Sequence, residues 1–235
     1  EEQNLRTLLQ INEVPRLLER ARQTCQDSSG GRDASIVLER LQNCRAEDSS
    51  REDQICRSLQ EVMNTRSHSG DAVQQLLQIM RENDWSTQVL AEGMRDLVTL
   101  VNQTNLPHKA KVNDAVLKRV VSFLSKNIDS APVQIHGFAF LEVMANSDQK
   151  CRSSIMHGQG CGVIVNAMRK HSSDVDVQIA GTGALKALSI DFECWFELQQ
   201  SGNGSIIREA MSSFPNSGPL QQNAAGILTN FSHWT

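Results

Sequence analysis

The chain has 235 residues, of which 39% are hydrophobic but only 4% are aromatic, and it contains no tyrosine. Its net charge of −4 gives no overall basic footprint, and with so few aromatic side chains this argues against a nucleic-acid-binding surface. No run of 18 apolar residues is present, so no membrane-spanning helix is predicted.

The N-terminal quarter predicts several helices separated by polar turns. Apolar residues recur at helical spacing in residues 1–27, and a further helix is predicted from Ala34 to Cys44. The polar, acidic stretch 46–51 predicts a surface turn, which would separate that helix from another over residues 53–65. Residues 1–48 are therefore interpreted as a degenerate N-terminal helical unit.

The middle of the chain continues the helical pattern. Asp71 is a good N-cap for a helix that runs through Met80. Further helices are predicted over residues 87–101 and 111–126. Residues 49–83 would form a short two-helix repeat.

The C-terminal half contains an internal repeat. Val133-Gln134-Ile135 and Val177-Gln178-Ile179 open two copies that are 44 residues apart, and a third opening at Leu220 follows 43 residues later. A fixed period in the forties without a strand pattern predicts an α-solenoid. Small residues recur in the opening helices, as the pairs Ala91/Gly93, Gly137/Ala139, Gly181/Gly183 and Ala224/Gly226.

Residues 177–189 resemble the third helix of an armadillo repeat, residues 160–168 resemble the second, and residues 151–157 resemble the first. The resemblance implies an all-α, right-handed α-solenoid of about four to five armadillo-like repeats. It divides the rest of the chain into three full repeats and a partial one: 84–130, 131–174, 175–217 and 218–235. HEAT repeats are the alternative architecture.

The resemblance also implies an inner groove. In armadillo proteins that resemble importin-alpha, a Trp and an Asn on each inner helix bind an extended peptide, and only Asn230 of this chain matches that pattern. We therefore expect an apolar groove that binds a helix or segment of a partner protein. The expected contacts are Leu97, Val101, Val143, Ala187, Asn230 and His233. The alternative is that these positions are buried core.

The six cysteines form no C-x-x-C pair and no dense disulfide pattern, so we expect thiols in a reducing compartment, the cytoplasm.

Three local clusters have alternative roles. The glycines of residues 157–162 could hold a phosphate or form a repeat loop. The second is basic and could bind a phosphate backbone or an acidic peptide, or could face solvent; it consists of His108, Lys109, Lys111, Lys118 and Arg119. Phe192, Trp195 and Phe196 could be an exposed anchor or seal two repeats.

The predicted function is a non-enzymatic protein-interaction scaffold or regulatory domain of a larger protein, because a solenoid offers an extended concave surface. Two alternatives stay open: a helical-repeat module that binds nucleic acid, and the regulatory part of an enzyme whose catalytic domain lies elsewhere. No nucleophile motif is present, and we expect no metal, no cofactor and no catalytic residue. Self-association through an open C-terminal end is a further expectation.

Overall fold

The computed structural model describes residues 29–66, 71–102, 112–200 and 204–233, and these residues form α-helices without a β-strand. The all-α prediction is thus confirmed for this part of the chain. Its helices are α1 (Ser29–Arg66), α2 (Ala72–Glu82), α3 (Thr87–Asn102), α4 (Asp114–Lys126), α5 (Ala131–Ala145), α6 (Gln149–His157), α7 (Gly160–Lys170), α8 (Val175–Leu188), α9 (Phe192–Gln200), α10 (Ser205–Ser213) and α11 (Gly218–Ser232).

The chain divides into two compact units, residues 1–55 and residues 56–235. The described part of the first unit is helical throughout, as the first 27 residues of α1. The helices α2 to α11 all belong to the second unit, which contains the repeats and every candidate site residue.

The predicted turn at 46–51 is wrong, because α1 runs through it without interruption. This stretch is polar but contains neither glycine nor proline. Surface helices tolerate such residues, because polarity alone does not break the backbone hydrogen bonds of a helix. The predicted boundary between residues 48 and 49 therefore falls inside a helix.

Four helices of the second unit, α3, α5, α8 and α11, are called the row helices here. Each of them contacts the next in chain order. A second set, α4, α7 and α10, follows the same order, with α4 against α7 and α7 against α10. The short helix α6 contacts α4, α5 and α7, and α9 contacts α7.

Polar side chains cap the starts of three helices, α4, α6 and α8. Asn113 accepts a hydrogen bond from Val116 N–H over 3.1 Å, and Asp148 accepts one from Cys151 N–H over 2.7 Å. Asp174 accepts two, from Asp176 and Val177. Asp71, the predicted cap of α2, makes no side-chain capping hydrogen bond.

A repeated glutamine joins three of the row helices, α5, α8 and α11, to the helix before each of them. Gln178 Nε2 donates to the carbonyl oxygens of Met168 and His171 at the end of α7, over 2.7 and 3.0 Å. Gln134 donates in the same way to Leu124 and Asn127, and Gln221 to Met211 and Phe214. The second carbonyl of each pair also accepts a backbone N–H, from Ser130, Asp174 or Ser217. The first lies in the last turn of its helix, where intrahelical donors run out, and the amide satisfies it.

Three glycines lie where the row helices pack against that preceding helix. A Cβ atom added at Gly181 would lie 2.6 Å from Met168 Cγ, and one at Gly137 would lie 2.2 Å from Leu124 Cδ2. Gly93 has the same relation to Met80, at 2.6 Å. Gly93 therefore corresponds to Gly137 and Gly181, and the pairing of Ala91 with Gly137 was wrong by two residues.

Candidate interaction surface

One side of the row helices carries residues at matching positions and is called the row face here. By the contacts of Gly93, Gly137 and Gly181, equivalent residues on α3, α5 and α8 are 44 apart, and α11 follows after 43. The row face consists of Glu92, Arg95 and Thr99 on α3, His136, Ala139, Glu142 and Val143 on α5, Ala180, Gly183 and Lys186 on α8, and Asn223, Gly226, Thr229 and Asn230 on α11.

The six predicted contact residues are not equally accessible. Leu97, Val101 and Ala187 are buried, Val143 and Asn230 are half-buried, and His233 is exposed. The first three are packing residues of the core, which corrects the predicted contact stripe at those positions. The two-residue error on α3 explains why Leu97 was wrongly predicted as a contact residue. Its equivalent on α5 is the buried Leu141 and not the half-buried Val143.

Asn230 has a structural partner on the neighbouring row helix. Its side-chain amide donates to Ser189 Oγ over 2.8 Å and so joins α11 to the end of α8. A second amide on the same helix, that of Asn223, is 3.5 Å from the carbonyl oxygen of Ile179. Both contacts cross from α11 to α8, so these amides help to hold the row together.

The row face is not the apolar groove that the sequence predicted. Glu92 and Arg95 form an ion pair on α3, and His136, Glu142 and Lys186 add ionisable groups on the next two helices. Burial raises the pKa of Glu142, although Lys186 partly offsets the shift. Burial also lowers the pKa of His136, and the positive charge of Arg95 lowers it further.

Glu142 and Lys186 explain why small residues recur on this face. A Cβ atom added at Gly183 would lie 2.6 Å from Glu142 Oε2, and one added at Gly226 would lie 2.9 Å from Lys186 Cε. Each of these long side chains therefore crosses the small residue of the next row helix. Both residues are half-buried, so part of each side chain remains open to a partner.

A cleft of about 580 Å³ lies at the starts of α4 and α6 and the end of α5. Its acidic side chains already have partners. Asp114 binds Lys118 Nζ over 2.8 Å and also Ser154, and these hydrogen bonds lower the pKa of its carboxyl group. Asp148 caps α6, and the Cys151 N–H lowers its pKa. Within the described residues, no group of three or more His, Cys, Asp or Glu side chains could hold a metal ion.

Cys161 and Cys194 form a buried thiol pair between α7 and α9. The Cys194 thiol and burial together raise the pKa of Cys161 far above its usual value, and the charge of Glu197 adds to the shift. Burial also raises the pKa of Cys151, to about 11. These three thiols are not in disulfides. Cys151 and Cys161 are poor nucleophiles, because a raised pKa disfavours the thiolate, which is the reactive form.

The aromatic cluster of α9 lies at the surface. Phe192 is 46% exposed and Phe196 is 48% exposed, and the ring of Phe192 lies 5.2 Å from that of Trp195. The two phenylalanines therefore do not seal the contact between two repeats, which was the alternative role of this cluster. In the basic cluster, Lys118 is paired with Asp114, and His108, Lys109 and Lys111 lie outside the described residues.

The turn of the glycine-rich segment 157–162 is made by a non-glycine residue. Gln159 has a φ of 64°, in the left-handed region, and it immediately precedes α7. No described helix is long and apolar enough to cross a membrane.

Comparison with known proteins does not assign a family to the chain. No family model matches it. A search of curated proteins finds no match. Among solved structures it is similar to the crystal structure of an engineered protein, with 16% identity and a TM-score of 0.46, over 99% of this chain and 71% of that one. A likeness this weak carries no functional argument.

Proposed function

We propose that this chain is a non-enzymatic protein-interaction module built as a right-handed, armadillo-like α-solenoid. The support is the recurrence of the same contacts at intervals of 44 and 43 residues. Gln134, Gln178 and Gln221 each tie a row helix to the helix before it. Stacked repeats that contact mainly their neighbours are the architecture of interaction solenoids. Three buried thiols outside disulfides support a reducing compartment such as the cytoplasm.

The row face is the proposed binding surface. The observation that carries this proposal is the placement of Glu142 and Lys186. Each of these half-buried side chains lies over a glycine of the next row helix. The glycines leave room for each side chain to lie flat, so less side-chain freedom is lost on binding. A partner segment with alternating charge would meet Arg95, Glu142 and Lys186 in turn, with His136 and Val143 between them. The partner is a segment of another protein.

A charge exchange tests the proposal. The double variant E142K/K186E retains the net charge and the local attraction but reverses both charges on the row face. The matched control is D129K/K170D, which exchanges the exposed pair that Lys170 Nζ makes with Asp129 over 2.6 Å. Both variants and the wild type are used to capture partners from a cell extract, and bound proteins are quantified by mass spectrometry.

We expect a set of proteins that bind the wild type and the control variant but not E142K/K186E. Circular dichroism and thermal unfolding must show that both variants fold. Loss of the same proteins from both variants would point to a nonspecific charge effect. Equal binding by all three proteins would reject the row face as the binding surface.

A further inference from the structure

A stripe of four positions runs along every row helix, with the spacing i, i+4, i+7 and i+11. On the first three row helices all twelve residues of this stripe are buried. They are Leu90, Met94, Leu97 and Val101 on α3, Gln134, Phe138, Leu141 and Ala145 on α5, and Gln178, Thr182, Leu185 and Ser189 on α8.

The same positions on α11 are open to solvent. Gln221 is half-buried, whereas Ala225, Leu228 and Ser232 are exposed. These four residues are called the end stripe. Leu228 is 41% exposed, although Leu97, Leu141 and Leu185 at the equivalent positions are fully buried.

The exposure begins where the described row ends. Within the row, each helix packs against the next one. The side-chain amide of Asn230 on α11, for example, contacts Ser189 at the end of the α8 stripe. No further row helix covers α11 within the described residues. The end stripe thus has the spacing of a helix–helix interface, but none of the described helices packs on it as a further row helix.

The chemistry of α11 favours a second copy of the same helix. None of its fifteen residues is charged, whereas α8 contains Asp176 and Lys186 and α5 contains Glu142. Charged residues are depleted in the cores of protein interfaces. A two-fold interface places each residue near its own copy, so like charges would repel there. The neutral stripe avoids that repulsion in a chain whose net charge is −4.

We propose that the end stripe is a self-association surface, on which α11 of one copy packs against α11 of a second copy across a two-fold axis. A helix of fifteen residues is about 22 Å long. One such helix offers less area than the roughly 800 Å² per partner of a standard stable interface. The dimer is therefore weak, and its population depends on protein concentration.

Opposite charges at one position test the two-fold geometry. L228D and L228R each place like charges opposite each other in a two-fold dimer, whereas a mixture of the two variants places opposite charges there. The control is F196D, which introduces the same charge at a similarly exposed apolar residue on α9. Mass is measured by light scattering over a range of concentrations, and circular dichroism checks that each variant folds.

We expect the wild type and F196D to approach twice the monomer mass as concentration rises. L228D and L228R alone should stay monomeric, and their equimolar mixture should recover the dimer. A wild type that is monomeric throughout overturns the proposal. Dimers of L228D place the interface elsewhere and also overturn it. Growth beyond the dimer, or a mixture that stays monomeric, shows that α11 does not meet its own copy.

Discussion

The side-chain amide of Gln178 lies 2.7 Å from the carbonyl oxygen of Met168, and this contact joins the start of α8 to the end of α7. The glutamine is fully enclosed, with 1% of its surface exposed. Water therefore cannot replace the amide if it is removed. The same arrangement at Gln221 is half-buried, so water can reach the carbonyl groups there.

We expect Gln178→Leu to lower the free energy of unfolding by about 1–3 kcal/mol, because it leaves the buried carbonyl oxygen of Met168 without its donor. The carbonyl oxygen of His171 retains the Asp174 N–H. Gln221→Leu should cost less, since solvent can replace its amide. Urea unfolding of both variants measures the difference. Equal costs for the two would mean that the buried amide does not determine stability at this joint.

Gly181 and Gly183 should respond differently to alanine, although they are two residues apart on one helix. A Cβ at Gly181 meets the buried side chain of Met168, and overpacking of this kind costs about 1–3 kcal/mol. The three atoms nearest to a Cβ at Gly183 belong to the carboxyl group of Glu142, at the end of a flexible side chain, and alanine favours the helix by about 1 kcal/mol.

We therefore expect Gly181→Ala to lower the melting temperature and Gly183→Ala to retain or raise it. Thermal unfolding followed by circular dichroism compares the two variants directly. Equal decreases would indicate that Glu142 cannot move aside.

Asp96 is a buried charge on α3 at a position that is apolar in the other row helices. Its equivalents are Phe140, Ala184 and Ile227, and its Oδ2 atom has no hydrogen-bond partner. Burial raises the pKa of Asp96, although Arg95 opposes the shift. The folded state therefore binds the proton more tightly than the unfolded state, in which the carboxyl group has its ordinary pKa of 3.8. Stability falls as the pH rises from that value through the higher pKa of the folded state.

We expect Asp96→Asn to raise the melting temperature at pH 7 by about 2–4 °C, the change that about 1 kcal/mol produces in a protein of this size. The gain should shrink below pH 3.8, where the carboxyl group is protonated in both states. Melting curves of the wild type and the variant at pH 3.5 and pH 7 measure it. A gain that does not depend on pH would exclude the charge as its cause.

The three buried thiols, Cys151, Cys161 and Cys194, should react slowly with a thiol reagent in the native protein. Burial limits access to all three thiols, and the raised pKa values of Cys151 and Cys161 also suppress their thiolate forms. Peptide mapping after timed alkylation at pH 8 would measure each site separately, with the urea-unfolded chain as the control. Native rates equal to those of the unfolded chain would show that α6, α7 and α9 open readily.

The sequence determined the local structure of this protein through signals between residues that are close in the chain. Apolar residues at helical spacing, together with polar caps such as Asn113 and Asp174, specify where helices lie, because both signals act within a few residues. The 44-residue recurrence of Val133 and Val177 also predicted which helices would be equivalent. It failed on α3, where Leu90 replaces the glutamine that marks the alignment.

Only the tertiary structure decided which side of each helix is accessible. Leu97 and Leu228 are the same residue type at equivalent positions, yet the first is fully buried and the second is 41% exposed. Glycines 181 and 183 likewise differ only in what packs against them. Burial depends on neighbours that are distant in the sequence, so a repeat pattern alone cannot distinguish a core position from a surface position.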